Sequence, residues 1–133
     1  MNELILTNIN KFVKEDDVLI CVGNVLDNED GAYWLQHIIC KNKICIMSKL
    51  DDNFSGYIAP YFEMVKDFAK LDDVTLCYDF SYAKDITYYS HYSYCGSPLD
   101  EWKYNKNHVN VSLDVWNYKP VSYELLKLYM NGK

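Results

Sequence analysis

The sequence predicts a single α/β domain, and three observations carry that prediction. The chain has 133 residues, half of them hydrophobic, a length and composition that support one buried core. An apolar run, a segment of helical period and a second apolar run succeed one another within about 30 residues, which is the βαβ unit. Finally, Asn107–Leu126 reads as a strand, a polar corner and a capped helix.

Taken in order, Leu4–Glu15 places Ile5, Ile9, Phe12 and Val13 at helical spacing. Glu15–Asp17 forms a turn, and Val18–Val22 is apolar throughout, as expected of a strand covered on both faces. Gly23-Asn24 ends it. Asp27–Asp30 supplies carboxylates suited to a helix start, and a helix over Ala32–Lys41 would put Trp34, Leu35, Ile38 and Ile39 on one face. Lys43–Met47 is the second strand. Phe54–Pro60 is expected to be a loop, and Tyr61–Phe68 a short helix. Val74–Tyr78 is a third strand after the Leu71–Asp73 turn. In the closing segment Val109, Val111, Leu113 and Val115 alternate with Asn110, Ser112 and Asp114, a half-buried strand. Pro120 cannot donate to a ladder and breaks it, and Ser122 can cap a helix through Tyr123, Leu126 and Tyr129.

A net charge of −6 repels phosphate backbones, which speaks against direct nucleic-acid binding; it suits a basic partner better, and the plainer reading is that it keeps the chain in solution. No apolar run approaches the ~20 residues of a membrane span, and the opening residues show no signal-peptide pattern. No membrane association is expected. Of the five cysteines, Cys21, Cys45 and Cys77 sit in apolar strand-like runs. They read as buried reduced thiols, and the expected setting is cytoplasmic. No cysteine or histidine pair has a metal-ligand spacing, and His37, His91 and His108 read as polar surface residues.

Val13–Asp27, Tyr33–Leu35, Lys43–Asp51, Val74–Tyr78 and above all Asn110–Ser122 resemble the calcineurin-like metallophosphoesterases, in the small branch common in phage and bacterial genomes. That resemblance implies a β-sandwich with mixed strands and flanking helices. It also implies two divalent metals at the strand ends, clamping a phosphate and activating a hydroxide. The chain departs from the family at each ligand station. The first strand with Asp-x-His has no counterpart, so the fold expected is a trimmed metallophosphoesterase-like sandwich. Gly-Asp becomes Gly23-Asn24, followed by Asp27. Gly-Asn-His-Asp becomes Ser48-Lys49-Leu50-Asp51, which puts a lysine where metal charge should sit. The lone histidine falls at Tyr78, and Gly-His-x-His falls near Cys95-Gly96 without a histidine. Asn24, Asp27, Ser48, Asp51, Tyr78 and Gly96 are therefore expected to be vestigial site positions, with no catalytic residue, metal or cofactor.

The resemblance thus implies an inactive scaffold that acts by protein–protein binding. The phage-rich branch makes a specific expectation possible: an inhibitor of a host defence enzyme, of the anti-CRISPR type. Its partner would be a basic host nucleic-acid-binding protein, and the sheet edge exposed by the missing strand would suit a partner or a second copy in a homodimer. Between Tyr78 and Tyr104 the chain is crowded with aromatics. Tyr82, Tyr88, Tyr89, Tyr92, Tyr94, Trp102 and Tyr104 are the candidate partner-binding residues, because tyrosine offers stiff contact area with a hydroxyl that can stay wet. The competing reading packs these rings onto the sheet as core. The alternative function is a residual phosphoesterase with one metal held by Asp27, Asp51, Asp79 and His91, or a nucleotide-binding protein.

Overall fold

In the computed structural model the described residues are 3–23, 25–26, 29–83, 86–89, 107–111, 116 and 118–131. Two sheets organise them. The first contains β1 (Val18–Val22), β2 (Asn42–Ile46) and β3 (Glu63–Val65), all parallel. The second contains β4 (Phe68–Leu71), β5 (Val74–Cys77), β6 (Ile86–Tyr89) and β7 (His108–Asn110) in that order. Here β4 is antiparallel to β5 and the rest are parallel, so the sheet is mixed. Helices α1 (Glu3–Phe12), α2 (Ala32–Leu35), α3 (Lys49–Asn53), α4 (Ser55–Ile58) and α5 (Tyr123–Asn131) flank the sheets.

Strand alternation sorts the apolar residues into two cores. Leu19 and Cys45 face one way, where Ile9 of α1, Leu35 of α2 and Ile58 of α4 cover them. Val22 and Ile46 face the other way and share a core with Val74, Leu76, Tyr88 and Val109 of the second sheet. The first sheet is therefore buried on both faces, which is why Val18–Val22 carries no polar residue. Leu126 of α5 closes the shared core, and Tyr123 packs edge-on to Tyr88 at 6.1 Å. The Ser122 hydroxyl accepts from the Leu125 amide at 3.1 Å, the cap expected for this helix.

Four expectations need correction. The helix over Ala32–Lys41 stops at Leu35. The Asn10 side chain is the cause: it donates to the His37 carbonyl at 2.9 Å and accepts from the Ile39 amide at 2.9 Å, pinning 37–39 outside the helix. Ile39 is consequently exposed instead of on the core face. Phe54–Pro60 is not a loop, because Ser55–Ile58 is helical and Ile58 is fully buried. Tyr61–Phe68 is not a helix: Glu63–Val65 finishes the first sheet and Phe68 begins the second. The crossing is made by Asp67 in the left-handed region at φ 67, a turn that Asp tolerates better than most residues. Last, Tyr88 is only 3% exposed. Its ring lies inside the shared core, on the inward side of β6, so it is not a partner-binding residue. Of the closing strand, Val109 is buried and Val111 partly so, but Asn110, expected on the polar face, is buried as well at 3% exposed, so the half-buried alternation does not hold there; residues 112–115 lie outside the described set.

Candidate functional site at the carboxyl end of the parallel strands

Parallel strands present their carboxyl ends on one side of a sheet, where loops are free to build a site. Here β3 runs into β4, and β4 pairs antiparallel with β5. The carboxyl ends of β1, β2, β3 and β5 therefore meet on one end of the molecule. Gly23, Ser48–Asp51, Lys66–Phe68 and Tyr78–Tyr82 are gathered there.

Gly23 follows β1 and takes φ +70, a conformation side chains rarely adopt. Its amide donates to the Ile46 carbonyl at 2.8 Å. The Tyr78 ring lies directly over it, so close that a β-carbon on residue 23 would stand 2.6 Å from Tyr78 Cγ. Only glycine fits beneath that ring.

After β2 comes a capping box. The Ser48 hydroxyl accepts from the Asp51 amide at 3.3 Å, and the Asp51 carboxylate accepts from the Ser48 amide at 2.9 Å. Asp51 is fully buried. Its Oδ2 also accepts from the Ser48 hydroxyl at 3.0 Å, and its Oδ1 accepts from the Val25 amide at 2.8 Å. A buried carboxylate is tolerable only when donors of this kind surround it. Asp51 therefore ties the segment after β1 to the segment after β2. The Ser-x-x-Asp spacing is itself the sequence signal for a capping box, and it accounts for Ser48 and Asp51 without any ligand role. Burial, then the Asp51 charge, pushes the Cys45 thiol well up and the Cys21 thiol up to about 12. These are inert side chains at neutral pH.

After β5 the chain exposes Asp79. Its carboxylate accepts from the Ser81 amide at 3.0 Å, and that bond, aided by Lys49, holds it below the usual carboxylate range. Tyr82 stacks on Phe68 with ring centroids 5.5 Å apart and planes 28° apart. Phe68 is 42% exposed and Tyr82 is half-buried. The neighbouring Asp67 carboxylate, hydrogen-bonded to the Tyr82 hydroxyl, raises the pKa of that phenol, and Asp79 adds to the effect.

Of the positions singled out by sequence, the structure brings Ser48, Asp51, Tyr78 and Tyr82 together at this end. Tyr88 is not among them, and Tyr89 is placed only as the last residue of β6. Asn24, Asp27, His91, Tyr92, Tyr94, Gly96, Trp102 and Tyr104 lie outside the described residues. Phe68 and Asp67 belong to the site and were missed, because only the unexpected β3–β4 crossing carries them here. The described residues do not fit a metal pair. Both Asp51 oxygens are engaged by N–H and O–H donors, the Lys49 charge acts on Asp79, and no three His, Cys, Asp or Glu among the described residues converge as a ligand set.

No family model matches the chain, and no curated protein matches it. Among solved structures, that of a protein of unknown function, AQ665 from Aquifex aeolicus, superposes with a TM-score of 0.68. The match covers 96% of this chain and 85% of the other at 17% sequence identity. At that identity the likeness shows a shared α/β fold and nothing about activity. No described helix is long and apolar enough to cross a membrane.

Proposed function

We propose that this chain is a catalytically inactive, metallophosphoesterase-like protein that works by docking on a basic protein partner through the carboxyl end of its parallel strands. The observation that carries the reading is the Tyr78 ring seated on Gly23. At the meeting point of β1 and β5, where a phosphoesterase needs open coordination positions, an aromatic side chain fills the space. The two neighbouring carboxylates divide in the same sense. Asp51 is spent on backbone amides, and Asp79 faces solvent. What this end offers instead is exposed aromatic area flanked by carboxylates, on a chain of net charge −6. A basic nucleic-acid channel has the complementary chemistry, so a host enzyme that binds nucleic acid is the partner class this surface suits, and inhibition of such an enzyme is the action proposed.

Metal content tests this reading. The chain purified after growth in manganese is expected to carry no stoichiometric divalent metal. A one-to-one metal content that is lost in Asp79→Asn would overturn it.

A further inference from the structure

The Phe68–Tyr82 pair is an exposed ring stacked on a half-buried one, and it is bracketed by two acids whose positions are fixed by backbone. Asp67 sits in the left-handed turn between the sheets, where the Phe68 amide donates to the Lys66 carbonyl at 2.8 Å. Asp79 is held by the Ser81 amide. Among the described residues neither acid has a cationic partner in ion-pair range. Among the described residues the ion pair present is Lys41–Glu15 at 2.8 Å, at the opposite end of β2. Lys49 acts on Asp79 only from longer range. The site thus combines an aromatic face with two preorganised carboxylates that no described cation pairs with directly.

We propose that this arrangement is a seat for an arginine side chain of a basic partner segment, its guanidinium lying over the exposed Phe68 ring with Asp67 and Asp79 as acceptors. The inference rests on the docking function proposed above and names the recognition chemistry. Arginine fits better than lysine on three counts. Its planar group stacks on an aromatic face, its fork of N–H donors matches a carboxylate, and it sheds water more readily than an ammonium. A phosphate or nucleic-acid strand is the wrong charge for two exposed carboxylates. Because both acids are already positioned, little ordering opposes binding.

The test is a titration of the whole chain with a fluorescent synthetic peptide carrying two arginines in a Gly/Ser background, beside lysine and citrulline versions of the same peptide. The arginine peptide is expected to bind several-fold tighter than the lysine one, and the citrulline peptide to lose about tenfold or more, since the charge-assisted bonds vanish. Asp67→Asn keeps the left-handed turn, because Asn tolerates it as Asp does. It should weaken the arginine peptide about threefold to tenfold, as should Asp79→Asn, whereas Asp30→Asn should leave binding unchanged. Lys49→Gln removes a competing cation and should tighten it. Equal binding of the citrulline peptide would overturn the proposal. So would indifference to both Asn substitutions, tighter binding of manganese than of the peptide at the two acids, or no binding at millimolar peptide. These results concern the arginine seat alone, since metal content and hydrolysis test the docking function separately.

Discussion

Tyr78 and Gly23 form a fitted pair: the ring covers a residue at φ +70 whose missing β-carbon would otherwise stand 2.6 Å from Cγ. Gly23 follows β1 of the first sheet and Tyr78 follows β5 of the second, so the contact joins the two sheets where their carboxyl ends meet.

Gly23→Ala should destabilise the fold by about 2–4 kcal/mol, combining a left-handed alanine with overpacking against the ring. Tyr78→Ala should recover the steric part. In urea denaturation the double variant should therefore be more stable than the sum of the single changes predicts. Additive losses would show that the ring does not rest on Gly23.

Asp51→Ala should cost about 3–5 kcal/mol, because it strands the buried Val25 and Ser48 amides and the α3 cap together. The loss should be the same in chelator as in manganese. A loss seen only with manganese present would instead identify Asp51 as a metal ligand.

Stability should fall in alkali. Burial, then the nearby Tyr123, raises the Tyr88 pKa to about 12, and burial likewise raises Cys45 and Cys21. In the folded chain these groups keep their protons to higher pH than in the unfolded chain. Their contribution is full below the ordinary thiol and phenol values of 9.0 and 10.0 and is lost as pH climbs from there toward 12. Each group removes about 1.4 kcal/mol per pH unit across its window. Urea midpoints measured between neutrality and pH 11 check the direction, and a flat profile would contradict it.

Asn10→Ala should cost about 1–2 kcal/mol by releasing the His37 carbonyl and the Ile39 amide. Hydrogen exchange at Ile39 should accelerate, while that of Cys45 in β2 should not. Unchanged exchange at Ile39 would show that segment 37–39 is held by other contacts.

The strand β1 was legible because an all-apolar run is what a doubly covered strand requires, and β2 and β5 because apolar residues dominate theirs. The last helix was legible from its Ser122 cap. The Glu63–Leu71 stretch was not: its two strands of three and four residues are too short to show a period, and they belong to different sheets. The truncation of the Ala32 helix was hidden for another reason, since it depends on a side chain of α1 more than twenty residues earlier. At the candidate site the sequence located Ser48, Asp51 and Tyr78 at one end but could not show that Asp51 is buried or that Tyr78 lies on Gly23. Both facts depend on how the two sheets meet. Tyr82 was singled out for its aromatic neighbourhood, and its stacking partner, Phe68, lies outside that neighbourhood in sequence.

The most direct test of the central claim is hydrolysis of bis(p-nitrophenyl) phosphate by the purified chain in saturating manganese. The account predicts no rate above the buffer blank for the wild-type chain or for Asp79→Asn. Turnover by the wild-type chain that disappears in Asp79→Asn, with folding intact, would contradict it and restore a working metal site to this end of the molecule.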